Sequence, residues 1–110
     1  MNVLGANLKK DIIVRDSNNT VLPVEYKLEQ NFPNPFNPMT TIHFQLPENK
    51  HVSLKIYNIQ GTLVTTLIEG ELEAGYYNTI WDASKFASGV YFYRFISGSF
   101  SMTKRLLLLK

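Results

Sequence analysis

Two histidines, His43 and His51, and the spaced carboxylates Glu69, Glu71 and Glu73 are the side chains of this chain whose types could hold a metal or move a proton. Neither histidine has a carboxylate at a metal-ligand spacing, and both fall at or beside the polar parity of strand-like runs, so they read as rim residues. The glutamates alternate in a loop, with Glu71 and Glu73 between Gly70 and Gly75 and Glu69 just before them. Calcium needs several rigidly held oxygens, and acid/base work needs a buried carboxyl pair with separated pKa values; a solvated glycine-flanked loop offers neither. The absence of cysteine removes thiolate chemistry, disulfides and most structural zinc sites. No Ser/His/Asp order is suggested by spacing, and no glycine-rich loop leads from strand to helix. The chain is therefore expected not to be an enzyme and to need no cofactor or metal.

The aromatics Tyr76, Tyr77, Trp81, Tyr91, Phe92 and Tyr93 are the remaining candidates for a site. Their rings could form a sugar-stacking platform on a sheet face, and they are equally the bulk that a small β core needs. Trp81 shares a parity with Tyr77 and Thr79 and is expected inward. An exposed Trp81 or Tyr76-Tyr77 patch would favour a binding or adhesion module, and a buried Trp81 would count against it.

The elements that would position these residues are strands. Ile42, Phe44 and Leu46 alternate with Thr41, His43 and Gln45 until Pro47 stops the run, and Val52, Leu54 and Ile56 repeat the pattern. Residues 58–61 read as a turn into residues 63–68, residues 70–75 as a loop, and residues 76–82 as the next strand. Asp82 is placed to cap one turn over residues 83–88, and Gly89 restarts the chain. Residues 90–96 are apolar on both parities except for Arg94, residues 100–109 are apolar on both faces at their end, and both read as inner strands. Six strands from Thr40 onward at roughly 8–12-residue spacing, with a seventh from Leu28 or Ile12, predict an all-β fold, an antiparallel immunoglobulin-like β-sandwich of about seven strands.

Length and composition set the bounds. A chain of 110 residues has room for one domain, and 45% hydrophobic with 13% aromatic residues is too apolar for a disordered tail. The net charge of +2 is scattered rather than gathered in a stripe, so no nucleic-acid partner is expected. The longest apolar run, residues 106–109, is far short of the roughly 20 residues of a membrane helix, so no transmembrane segment is expected. Residues 1–27 read as a linker or the end of a preceding region with one short strand-like run at residues 11–15, and residues 28–110 as the domain. The first ten residues lack a signal peptide's apolar centre, so an export signal is expected on sequence outside this piece.

Three of the five prolines lie in Asn31-Phe32-Pro33-Asn34-Pro35-Phe36-Asn37-Pro38. Each fixes φ, lacks an N–H and pushes its predecessor toward extended geometry, so this stretch is a stiff loop, with Phe32 and Phe36 expected as its apolar anchors. It is followed in order by Thr40-Thr41-Ile42, by residues 52–58 with Gly61, by Trp81-Asp82-Ala83, by Ala87-Ser88-Gly89-Val90-Tyr91-Phe92-Tyr93-Arg94, and by a terminal Lys110. This series closely resembles the type A C-terminal sorting domain of the type IX, or Por, secretion system, over residues 28–110. It is similar also to the immunoglobulin-like domain of the flagellar hook-capping protein.

The resemblance implies a non-catalytic secretion signal at the end of a larger protein of a Gram-negative bacterium. A covalently linked N-terminal cargo would be carried across the periplasm and through the outer-membrane type IX translocon to the cell surface or medium. A sortase-like peptidase would remove the signal by a cut within about residues 16–27. By matching motifs, the sorting residues would be Pro33, Asn34 and Pro35, then Gly89 and Tyr91, then Lys110. The alternative reading is an immunoglobulin-like binding or accessory module that contacts polysaccharide or a partner domain.

Overall fold

The computed structural model describes residues 7–11, 14–15, 19–20 and 22–110. Six long strands carry the fold: β5 (Met39–Leu46), β6 (Lys50–Asn58), β7 (Leu63–Leu72), β8 (Gly75–Asp82), β9 (Gly89–Ser97) and β10 (Phe100–Leu108). Four short ones precede them: β1 (Lys9–Asp11), β2 (Val14–Arg15), β3 (Asn19–Thr20) and β4 (Lys27–Leu28). One sheet runs β1-β8-β5-β4, the other β10-β9-β6-β7, and β2 and β3 form a separate two-stranded ribbon. Every strand pair is antiparallel, so the all-β sandwich expected from the strand spacing is present.

Alternation dictates what each sheet buries. Ile42, Phe44 and Leu46 of β5 meet Val52, Leu54 and Ile56 of β6, Tyr93 and Phe95 of β9, and Leu106 and Leu108 of β10 in one continuous core. At about 25 cal/mol per Å² of apolar surface removed from water, this shared layer is the main source of stability, since neither sheet can cover its inner face alone. Leu28 supplies the added strand as β4, paired with Phe44. Asp11 closes β1, whose three residues pair with β8 at Asn78, Tyr77 and Tyr76. Ile12, the other candidate for an added strand, lies outside the described residues, as does Ile13.

Three local expectations change. Residues 69–72 belong to β7 rather than to a loop, and the β7–β8 connection shrinks to Glu73 and Ala74. The reason was visible in the parity: Ile68, Gly70 and Leu72 are buried while Glu69 and Glu71 alternate outward, a period of two that glycine interrupts only in appearance. Phe32 is 73% exposed and anchors nothing, because its backbone pairs with Thr41 and that register turns its ring outward. Finally, β9 is an inner strand but β10 is an edge strand. Its apolar end is covered on one side by β9 and on the other by the proline loop, with Phe36 N–H donating to the Leu107 carbonyl and Leu109 N–H to the Phe36 carbonyl, both at 3.0 Å.

Candidate functional site

The proline loop is held by a buried polar network at its root. Asn31 is 2% exposed, and its side-chain N–H groups donate to the Pro33 carbonyl (3.1 Å) and to Thr40 Oγ1 (3.0 Å). Thr40 in turn donates to the Pro33 carbonyl at 2.8 Å. The Tyr93 hydroxyl accepts from Asn31 N–H (2.8 Å) and donates to the Glu29 carbonyl (2.7 Å), tying β9 of one sheet to the strand edge of the other. Buried groups satisfied this completely fix one geometry, because any shift leaves a donor or acceptor unpaired in a dry environment. The three Xaa-Pro bonds of the loop are cis.

At its tip the loop is clamped by one ring. Phe36 is 2% exposed and tilts against Trp81 at a centroid separation of 5.7 Å. Trp81 also meets Phe86 at 5.6 Å and Tyr91 edge-on at 5.3 Å. The single turn after β8 is organised as its sequence suggested: Asp82 Oδ1 accepts from Ser84 N–H at 3.0 Å, and Phe86 N–H donates to the Ala83 carbonyl at 3.0 Å. The Asp82 carboxyl is held below its ordinary pKa, first by the Ser84 backbone hydrogen bond and then by the Ser84 side chain. Ala83 N–H donates to the Pro38 carbonyl, joining turn to loop.

The residues singled out for sorting meet at this end of the sandwich. Asn34 Oδ1 accepts from Leu107 N–H at 3.0 Å, and Pro33, Asn34 and Pro35 are exposed. Gly89 pairs with Leu108, and Tyr91 with Leu106, at the start of β9. Gly89 has φ near +153°, a conformation L side chains rarely adopt. Tyr91 is 7% exposed and donates from its hydroxyl to the Ala87 carbonyl at 2.6 Å, so it braces the turn from beneath. Lys110 is exposed yet tethered: its backbone N–H donates to Ser88 Oγ (2.9 Å) and its Nζ to the Ser84 carbonyl (2.7 Å). Motif reading missed Asn31, Thr40 and Tyr93 as the root of the loop, and Ser84 and Ser88 as the seat of the chain end. Small polar residues in turns are too common to stand out in a sequence, and only their convergence marks them.

Two outcomes follow for this end. Asn34→Ala removes the acceptor for Leu107 N–H and is expected to cost about 0.5–1.5 kcal/mol in urea unfolding, with faster amide exchange confined to Leu107 and its neighbours. Lys110→Ala is expected to change stability by less than about 0.5 kcal/mol, because both of its tethers are exposed.

The other candidates separate. Trp81 is 3% exposed, and Tyr77, Tyr91 and Tyr93 are also buried, while Tyr76 and Phe92 face outward from different sheets, so the six aromatics form no shared platform. His51 pairs through Nε2 with Glu69 and lies 3.9 Å from Glu71 through Nδ1, across the β6–β7 ladder. The Glu69 carboxyl is pulled below its ordinary pKa chiefly by that hydrogen bond. These are partly exposed cross-strand pairs, which support sheet register modestly and are screened by salt. Among the described residues no group of His, Cys, Asp and Glu is placed to hold a metal ion, and no helix is long and apolar enough to cross a membrane.

A search of the curated proteins found no match. Comparison with protein-family models matches residues 30–109 to the secretion system C-terminal sorting domain, a span that starts at the root of the proline loop and ends one residue before the tethered lysine. The chain belongs to the type IX secretion system C-terminal sorting domain family.

Proposed function

We propose that this chain is a non-catalytic C-terminal secretion signal, and that the end of the sandwich built from the proline loop, the 83–88 turn and Lys110 is the face read during export. The signal directs a covalently linked N-terminal cargo from the periplasm through the outer-membrane type IX translocon to the cell surface or medium. A sortase-like peptidase then severs it within about residues 16–27; residues 16–18 and 21 lie outside the described residues, while Val24 in the same stretch is 93% exposed.

One observation carries the reading. Segments separated by about 70 residues of chain, the loop at Asn34 and the strand at Leu107, are bonded directly, and the final lysine is seated on Ser84 and Ser88 beside them. Lys110 is thereby held by both its backbone and its side chain beside the proline loop, whose root is fixed by a buried polar network. A receptor that docks on a preformed surface avoids the ordering entropy of capturing a loose tail. Roles divide by exposure: Pro33, Asn34, Pro35 and Lys110 present contacts, while Gly89 and Tyr91 shape the ground beneath them.

The test is export of a reporter carrying Lys110→Ala, Asn34→Ala or both, in a bacterium with the type IX system. Surface delivery is expected to fall at least several-fold while the purified variants unfold cooperatively near the parent midpoint. Full-rate export of the folded double variant would remove these residues from the recognised face.

A further inference from the structure

β10 has a strand partner on one side only. It pairs with β9 from Phe100–Ser97 to Leu108–Gly89 without a bulge, and among the described residues no strand lies against its other edge. The backbone groups of Leu107 point to that open side, where Asn34 and Phe36 take them up. Antiparallel pairing alternates, so the N–H and carbonyl groups of Ser101, Thr103 and Arg105 face the same side. Gln30 Nε2 donates to the Arg105 carbonyl at 2.7 Å, which closes the covered stretch. Among the described residues, no backbone or side-chain group bonds Ser101 or Thr103 there.

The proline loop demonstrates how this edge is filled. Phe36 bridges Leu108 in parallel, through hydrogen bonds of 3.0 Å on either side. Natural edges are usually blunted by a bulge, a proline or very short length. None of these interrupts residues 101–105; the charges there, Lys104 and Arg105, are a further edge device that repels a second basic edge and admits an acidic strand, and Ser101, Met102 and Thr103 are exposed on both side-chain faces. The neighbouring surface is chemically specific. Arg105 borders a hollow of about 260 Å³ on the outward face, walled by Asn34, Pro35, Val90 and Leu107. Among the described residues no carboxylate pairs with Arg105 or Lys104.

We infer that the β10 edge at residues 101–105 is a strand-addition site for an extended segment of a partner protein, one with a carboxylate opposite Arg105 and an apolar side chain for the hollow beside it. Main-chain bonds to the free edge supply affinity, and the alternate side chains supply selection. A second copy of this chain fits poorly, since pairing two β10 edges would gather Lys104 and Arg105 of both copies along one seam. That the partner belongs to the export route rests on the sorting reading; the binding itself does not.

The test uses the full chain labelled with nitrogen-15 and an end-blocked synthetic hexapeptide Thr-Val-Thr-Glu-Thr-Val, whose glutamate and valines, two residues apart, share one face of a strand, with the same hexapeptide carrying lysine in place of glutamate as comparison. The Thr103 and Arg105 amides are expected to shift and to gain protection from solvent exchange with the glutamate peptide. The lysine peptide is expected to bind about tenfold more weakly, and Arg105→Glu to reverse that order, with unchanged β9 amide shifts reporting an intact fold. Silence at residues 101–105 with both peptides at millimolar concentration would overturn the proposal, as would equal affinity for the two. Protection of the same amides without peptide, together with a dimer in sedimentation, would assign the edge to a second copy and also overturn it. Export and peptide binding are measured separately, so the failure of one is distinguishable from that of the other.

Discussion

Phe36→Ala is expected to lower the free energy of unfolding by about 3–5 kcal/mol, against a total of about 5–15 kcal/mol for a domain of ordinary stability. The ring is 2% exposed, and it is the wedge between the proline loop and Trp81. Removing it leaves a void that Trp81, already engaged by Phe86 and Tyr91, cannot fill without abandoning them. The loss is also local in character. Phe36 carries the backbone bonds to Leu107 and Leu109, so amide exchange at Leu109 is expected to accelerate well beyond that of Leu54 in the middle of the sandwich. Urea unfolding and exchange on the same variant check both parts; a loss below about 1 kcal/mol would mean that the loop is not clamped by this ring.

Tyr93→Phe should show the second largest effect, with a signature in pH. The phenol is fully buried, and burial pushes its pKa up from 10.0 to about 12, the Asn31 hydrogen bond pulling the other way. The folded state thus prefers the neutral phenol more than the unfolded state does. Stability from this preference is intact below pH 10 and drains away as pH rises from 10 toward about 12. The phenylalanine variant leaves Asn31 N–H and the Glu29 carbonyl without partners, for a cost of about 1–3 kcal/mol at neutral pH. It should also have a shallower alkaline decline in melting temperature between pH 10 and 12 than the parent. Some decline remains, because burial raises the Tyr77 pKa in the same direction.

What could be read from the chain depended on which physical signal carried it. Strand parity was legible because a half-buried strand must alternate; Ile42, Phe44 and Leu46 announced β5, and Trp81 fell on the inward side. The same rule carried across Gly70 keeps Glu69 and Glu71 on β7; glycine reads as a break in sequence, yet Gly70 is a buried strand residue. The outward turn of Phe32 was not legible, because it depends on a register with Thr41 that the proline block itself sets. Nor was the edge position of β10. Four leucines from residue 106 onward look like an inner strand, and only the loop docking across Leu107 explains why an edge is so apolar. Motif order pointed to Asn34 and Lys110, and their position at one end of the sandwich is a property of the fold.

The central claim, that the folded domain is an export address, is tested most directly by fusing residues 1–110 behind a periplasm-directed fluorescent protein in a bacterium with the type IX system and in the same strain lacking its translocon. Deleting the final strand is a poor control, because Leu106 and Leu108 are fully buried and their loss would unfold the sandwich. The translocon deletion leaves the domain intact. Fluorescence at the surface or in the medium of the first strain, and retained in the periplasm of the second, is the predicted result. Retention in the periplasm of both strains, with the domain folded and protease-resistant, would contradict it.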